Sequence, residues 1–104
     1  MTISATEASL ITREICALAP IVPVLVIDDA RTATPLAEAL VTGGLPALEV
    51  TLRTPAALDA IRAMAAVPGG YVGAGTLVTP DDVRAAKEAG ARFGVSPGAT
   101  PDLL

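Results

Sequence analysis

The sequence predicts a single α/β domain over residues 1–104, built on a parallel sheet or on part of a barrel. Apolar strand-like segments begin about every 21 to 26 residues, and each is followed by a segment with helical spacing. A chain of 104 residues has room for one domain. The alternation of strand-like and helical segments implies a sheet whose faces are covered by helices.

The first elements are a helix and a strand. Apolar residues recur at helical spacing over residues 4–18, and Pro20 stops the run, so a leading helix is predicted there. The apolar residues 21–27 then predict a first buried strand, with Pro23 tolerable near its start or at a sheet edge.

The next elements are a second helix and a central strand. The helix is predicted from residue 28, and Gly43 with Gly44 is typical of its left-handed end. Residues 47–54 contain the central strand. Thr54 and Pro55 predict the start of a third helix, because the threonine side chain can cap free amides and proline needs no N–H in a first turn.

The last elements repeat this pattern. Residues 71–76 predict a third strand whose glycines would let another group approach the backbone closely. Thr79 and Pro80 repeat the helix start, Gly90 ends that helix, and residues 92–96 predict a fourth strand. Thr100 offers the same start once more. The full prediction is a leading helix plus four parallel strands alternating with three helices.

The central strand carries polar groups where a buried strand should have none. Its residues 48, 50 and 52 are apolar, whereas Glu49, Thr51 and Arg53 fall on the other face. Strands of a parallel sheet are covered on both faces and usually read as unbroken apolar runs. The alternative is an edge strand whose polar face is exposed to solvent. The apolar segments around this strand instead favour a covered sheet, in which the polar side chains would line a functional cleft.

Composition limits the partners and the chemistry. The net charge of −4 and the pI near 4.5 argue against nucleic acid or an anionic membrane as partner. The chain has no histidine, so acid and base chemistry must come from carboxylates, tyrosine or water. Its one cysteine, Cys16, allows no intrachain disulfide and is predicted to be a buried structural thiol. We expect no metal and no cofactor.

Hydropathy indicates association. The mean hydropathy of +0.60 is high for so small a chain, and Tyr71 and Phe93 are its only aromatic residues. A small domain hides such apolar surface poorly, so we expect a homo-oligomer. The two longest uncharged runs, residues 15–27 and 63–80, are interrupted by prolines or glycines, so neither is expected to cross a membrane. The start lacks the features of a signal peptide, which makes a cytoplasmic location the expectation.

Four motifs in order resemble one family. They are residues 20–24 (PIVPV), residues 48–54 (LEVTLRT) after Gly43 and Gly44, residues 72–76 (VGAGT), and residues 96–98 (SPG) before Thr100. Together they look like 2-keto-3-deoxy-6-phosphogluconate (KDPG) and 4-hydroxy-2-oxoglutarate (KHG) aldolases. The resemblance covers nearly the whole chain after the leading helix.

The resemblance implies a fold and a set of site residues. The family is a (β/α)₈ barrel, so this chain would be its N-terminal half; a rearranged open flavodoxin-like sheet is the alternative. The family's enzymes are class I aldolases, in which a lysine forms a Schiff base with pyruvate or a keto-deoxy sugar acid. Glu49 matches the general acid and base. Arg53 and Thr76 match the residues that bind the pyruvate carboxylate.

This chain differs from the family in the lysine that would supply the Schiff-base amine. The only lysine, Lys87, lies on a polar helix face, where an ammonium group is most simply a solvated charge. A Schiff-base lysine needs a desolvated pocket, and in the family it lies on a later strand. The resemblance therefore implies that this chain carries only the acid-base and carboxylate-binding half of a site. The alternative is a non-catalytic, self-associating half-barrel fragment.

Overall fold

The computed structural model describes residues 3–104, and their architecture is α/β with a parallel sheet. In chain order the elements are α1 (Ala5–Ala17), β1 (Val24–Leu25), a 3-10 turn (Ala30–Thr32), α2 (Ala33–Thr42), β2 (Ala47–Thr51), α3 (Ala57–Ala65), β3 (Tyr71–Gly75) and α4 (Pro80–Ala89). The predicted α/β class is confirmed. That these elements are half of a closed barrel stays a prediction.

The sheet places β2 between its two neighbours. The strand order is β1-β2-β3, and both pairs run parallel. Glu49 lies opposite Val24 of β1 and opposite Gly73 of β3. Because side chains alternate along a strand, Glu49 and Thr51 share a face of the sheet, which we call the inner face.

The opposite face of the sheet packs against the helices and forms the core. It contributes Leu48 and Val50 from β2 together with Val72 and Ala74 from β3, all at most 1% exposed. Helix α3 contacts both strands and both neighbouring helices. Its Ile61 and Met64 are completely buried, as its apolar spacing indicates. Small alanines fill most of the remaining core positions.

The first strand differs from its prediction in length and in burial. Only Val24 and Leu25 form the ladder, in a segment predicted to be strand over residues 21–27. Pro23 has no N–H to donate to the ladder, and β1 lies at the edge of the sheet. Ile21, Val24 and Val26 are therefore 55–61% exposed rather than buried.

The fourth predicted strand is reduced to one bridge. Gly94 pairs with Ala74 in parallel, and four backbone hydrogen bonds of 2.8–3.2 Å hold residues 92–95 along the edge of β3. The described residues thus form three strands and not four. The segment is short because Ser96, Pro97 and Gly98 turn the chain away immediately.

The predicted helix starts have different outcomes. Thr79 caps α4 as predicted: its side chain accepts from the N–H of Asp82, and the Asp82 carboxylate accepts from the N–H of Thr79. Gly90 ends this helix at φ 109°, which a residue without Cβ adopts readily. Thr54 does not cap α3, because its hydroxyl donates to the carbonyl oxygen of Ile27 instead, and the helix begins three residues later.

The leading helix is confirmed but packs less closely than its pattern suggests. Ser4 and Glu7 form a capping box at its start. Ile15 is its only buried residue among those described, while Ile11 and Leu18 are 37% and 46% exposed. The prediction that Cys16 is buried is wrong: its thiol is exposed. No helix among residues 3–104 is both long enough and apolar enough to span a membrane.

Candidate active site

The polar face of β2 is covered by the protein rather than by water. Glu49 is 9% exposed and Thr51 is 3% exposed, and all five residues of the strand are buried. The Thr51 hydroxyl donates to the carbonyl oxygen of Leu25 at 3.2 Å, which satisfies it. The edge-strand alternative is therefore wrong, since β2 is the central strand and its polar side chains are enclosed.

The Glu49 carboxylate is largely enclosed but keeps some contact with water. No hydrogen-bond donor among residues 3–104 reaches it, and it makes no ion pair within that part of the chain. Removal from water disfavours the charged form of the acid. Burial accordingly raises the pKa of Glu49.

Arg53 and Thr76 meet at the carboxyl end of the sheet. The Arg53 Nε–H donates to the Thr76 hydroxyl oxygen at 3.5 Å, a long hydrogen bond between residues that follow neighbouring strands. Arg53 lies in the turn after β2 and is exposed, although the sequence predicts it inside the strand. Its guanidinium has no carboxylate within 4 Å among the described residues.

Thr76 has an unusual backbone. Its φ of 60° is the one positive value at a residue other than glycine within residues 3–104. This left-handed conformation is costly for a β-branched side chain, and such residues cluster at binding and catalytic sites. The strain occurs directly after β3, where the backbone turns and presents the Thr76 hydroxyl to Arg53.

A cavity of about 240 Å³ opens beside Glu49, between α1 and the sheet. Thr12, Ile15 and Cys16 line it from the helix, and Phe93 lines it from the segment after α4. The Phe93 ring lies 6.2 Å from that of Tyr71, nearly parallel to it. The cavity leaves room for the Glu49 side chain to reach water or a ligand.

Of the three predicted site residues, Arg53 and Thr76 contact each other and the Glu49 carboxylate lies against Gly75, the residue before Thr76, whereas Lys87 lies on α4. Lys87 is an exposed residue of α4, as expected of a solvated charge. Residues 3–104 contain no group of three His, Cys, Asp or Glu side chains that could hold a metal ion. Phe93 was not identified from the sequence as a neighbour of Glu49, because only the fold brings their segments together.

The glycines of β3 explain how Glu49 fits against the sheet. A Cβ on Gly75 would lie only 2.8 Å from Cδ of Glu49, and a Cβ on Gly73 would lie 2.5 Å from the Phe93 ring. The prediction that these glycines allow a close approach is confirmed. The sequence did not indicate which groups approach.

Comparisons with a family model and with known proteins all point to KDPG and KHG aldolases. A family model described as KDPG and KHG aldolase matches residues 12–104. The 2-dehydro-3-deoxy-phosphogluconate aldolase of Zymomonas mobilis is 60% identical over 86 residues, which are 83% of this chain and 41% of that protein. The KHG/KDPG aldolase of Escherichia coli is 54% identical, over 82% of this chain and 40% of its own length.

Solved structures of KDPG aldolases superpose on this chain. The crystal structure of the 2-keto-3-deoxy-6-phosphogluconate aldolase of Zymomonas mobilis superposes with a TM-score of 0.84 at 57% identity, covering 88% of this chain and 44% of that one. The KDPG aldolase of Legionella pneumophila, captured with pyruvate as a covalent carbinolamine intermediate, gives a TM-score of 0.80 at 47% identity, covering 86% and 44%. This chain spans less than half the length of these relatives. On this evidence the chain belongs to the KDPG and KHG aldolase family.

Proposed function

We propose that this chain carries the acid-base and carboxylate-binding part of a class I aldolase site. The reaction would be the reversible cleavage of a keto-deoxy sugar acid to pyruvate and an aldehyde. The observation that carries the proposal is the largely enclosed Glu49 carboxylate, which lies against Gly75, the residue before the Thr76 that contacts Arg53. The family match and the pyruvate adduct of the Legionella pneumophila relative support it.

Glu49 is suited to move protons in this reaction. Cleavage requires a base that takes the proton from the C4 hydroxyl as the C3–C4 bond breaks, and an acid that protonates the resulting enamine carbon. A carboxyl group with a raised pKa exchanges its proton closer to neutral pH than an ordinary glutamate does. The cavity beside Glu49 gives such a proton a route to water.

Arg53 and Thr76 are suited to hold a carboxylate. An unpaired guanidinium can donate two parallel hydrogen bonds to a carboxylate, and the threonine hydroxyl can add a third. Fixing the pyruvate carboxylate in this way would hold the adjacent keto carbon in one orientation for attack by an amine. The long Arg53 to Thr76 bond of 3.5 Å costs little to give up when a carboxylate binds between the two groups.

The amine is proposed to come from outside residues 1–104. Lys87 is exposed on α4, and an exposed ammonium lacks the desolvation that activates a Schiff-base lysine. Borohydride reduction of this chain with labelled pyruvate should therefore leave no covalent adduct. A fusion in which residues 1–104 replace the matching segment of the Zymomonas mobilis aldolase should form one.

Kinetics of that fusion test the carboxylate-binding role. Arg53→Lys keeps the charge but loses the forked geometry, so the pyruvate KM should rise by roughly 10-fold to 100-fold, the value of a charge-assisted hydrogen bond. Arg13→Lys, an exposed position on α1, is the matched control and should leave KM unchanged. An unchanged KM in Arg53→Lys would contradict the proposed role.

Self-association is a second proposal, and one observation favours it. Val24, Val26 and Val95 are 42–60% exposed, and β1 forms an open sheet edge. A chain of this hydropathy that exposes an apolar strand edge tends to pair with another strand. We propose that a second copy covers these valines, as the half-barrel interpretation predicts. A cytoplasmic location likewise remains a prediction.

Light scattering across a tenfold dilution series tests the association. The expected mass is at least twice 10.4 kDa, and Val24→Lys should reduce it. Val78→Lys is the matched control, because Val78 is equally exposed at 59% but lies in the loop before α4. A mass of 10.4 kDa at every concentration would contradict the proposal.

A further inference from the structure

Gly75, the last residue of β3, lies directly against the Glu49 side chain. A Cβ at this position would be 2.8 Å from Cδ of Glu49 and 3.1 Å from its Cγ, and still closer to one carboxylate oxygen. Real Cβ atoms essentially never approach another heavy atom within 3.0 Å. The Glu49 carboxylate therefore occupies space that any other residue at position 75 would fill.

This contact gives the Glu49 side chain a direction. Glu49 is paired in register with Gly73, and Thr51 is paired with Gly75. The carboxylate of Glu49 nevertheless lies over Gly75, two residues further along the strand. The side chain therefore leans toward the carboxyl end of the sheet, where Thr76 follows Gly75 immediately.

The backbone at Gly75 is held in place. Its carbonyl oxygen accepts from the N–H of Leu52 at 2.9 Å, which ties the ends of β2 and β3 together. Gly75 is buried and belongs to the sheet. A new side chain at this position could not be accommodated by a shift of the strand, so the carboxylate would have to move instead.

We infer that Gly75 is a positioning residue: its missing side chain leaves the space in which Glu49 extends along β3 and places its carboxylate against Gly75, the residue before Thr76, at the carboxyl end of the sheet. Gly75 itself has no side chain with which to contact a substrate. The inference deepens the proposed function, because it matters for catalysis only if Glu49 is the acid-base group. The placement of the carboxylate can be tested without that assumption.

Gly73 provides a matched control in the same strand. It lies on the same face, and a Cβ there would be 2.5 Å from three ring atoms of Phe93. Gly73→Ala thus introduces a clash of similar severity with a different neighbour. Only Gly75→Ala pushes directly on Glu49.

The experiment is a carboxyl ¹³C NMR titration of Glu49 in the 104-residue chain and in its two alanine variants. In Gly75→Ala the carboxylate should move into the adjacent cavity and gain water, so the pKa of Glu49 should fall toward its ordinary value. Gly73→Ala pushes on the Phe93 ring, which lines the same cavity, so it should change the pKa of Glu49 less than Gly75→Ala does. Cys16 also lines the cavity and is titratable, so Cys16→Ser is introduced in every sample.

A stability measurement covers the case in which Gly75→Ala destabilises the chain severely. Glu49→Asp shortens the side chain by one methylene, which withdraws the carboxyl group from position 75. The loss in urea midpoint caused by Gly75→Ala should be smaller in the Glu49→Asp background than in the native one. The same background should not reduce the loss caused by Gly73→Ala.

The outcomes separate this inference from the proposed function. An unchanged Glu49 titration in Gly75→Ala, an equal change in Gly73→Ala, or additive losses with Glu49→Asp would each overturn the inference. None of these results depends on catalysis. A catalytic fusion that tolerates Glu49→Gln would overturn the acid-base role and leave the placement intact.

Discussion

Replacing Glu49 with glutamine should stabilise the chain at neutral pH and lose that effect in acid. Glutamine has nearly the shape of glutamate, so the contact with Gly75 is kept and only the charge is removed. Because the folded pKa of Glu49 is raised, the native chain loses stability as pH rises from the ordinary carboxyl range through that folded pKa. Glu49→Gln should not show this loss.

The size of the effect follows from the burial of the group. Glu49 is 9% exposed and its carboxylate accepts no hydrogen bond from residues 3–104, but its oxygens keep some contact with water, so its ionised form loses only part of its solvation. Leaving a buried polar group unsatisfied costs about 1–3 kcal/mol in mutational measurements. At pH 7 we expect Glu49→Gln to be more stable by roughly 1 kcal/mol, the low end of that range because the glutamine amide also lacks partners.

Urea unfolding followed by circular dichroism between pH 3.5 and 7.5 measures this difference, since the chain has no tryptophan and only one tyrosine. Glu38→Gln, at an exposed position of α2, controls for the loss of one negative charge. Two other acids have lowered pKa values, Glu7 through its bond with Ser4 and Asp29 through its bonds with Arg31, and both are present in every variant. A native-minus-variant difference that is constant with pH would refute the reasoning.

Three further results are expected. Met64→Ala should cost about 2–5 kcal/mol of unfolding free energy in urea, because Met64 is completely buried between α3 and the sheet and its removal leaves a cavity. Thr79→Ala should cost about 1 kcal/mol through loss of the capping box, whereas Thr34→Ala, at an exposed helix position, should cost less than about half of that; equal losses would contradict the cap assignment. Lys87→Arg should leave borohydride trapping of labelled pyruvate by this chain at background, and an adduct that only the native chain forms would show that Lys87 is reactive.

Elements set by local chemistry were predictable from the sequence. The start of α4 needs only Thr79, Pro80 and Asp82, which are neighbours in the chain, and the structure has the predicted capping box. The strand β3 and the left-handed end at Gly90 were equally local. The polar face of β2 was visible as alternation, and its burial followed from the apolar segments around it.

Features that depend on distant partners were not predictable. The length of β1 depends on what lies beyond its edge of the sheet. The Thr54 hydroxyl donates a hydrogen bond to the carbonyl oxygen of Ile27, which is distant in the chain, and therefore does not cap α3. Residues at positions 49 and 75 meet only after β2 and β3 pair, so the alternation of one strand could not reveal the contact between them.

The exchange of pyruvate methyl protons with deuterated water tests the acid-base role of Glu49 most directly. Carried out on the fusion with the Zymomonas mobilis aldolase, the exchange requires a Schiff base and a proton-transferring group but no aldehyde. Glu49→Gln should slow it by roughly 10²-fold to 10⁴-fold, the usual contribution of a general acid-base group, while borohydride trapping of the imine stays at the native level. Exchange at the native rate in Glu49→Gln, with trapping intact, would contradict the assignment of Glu49.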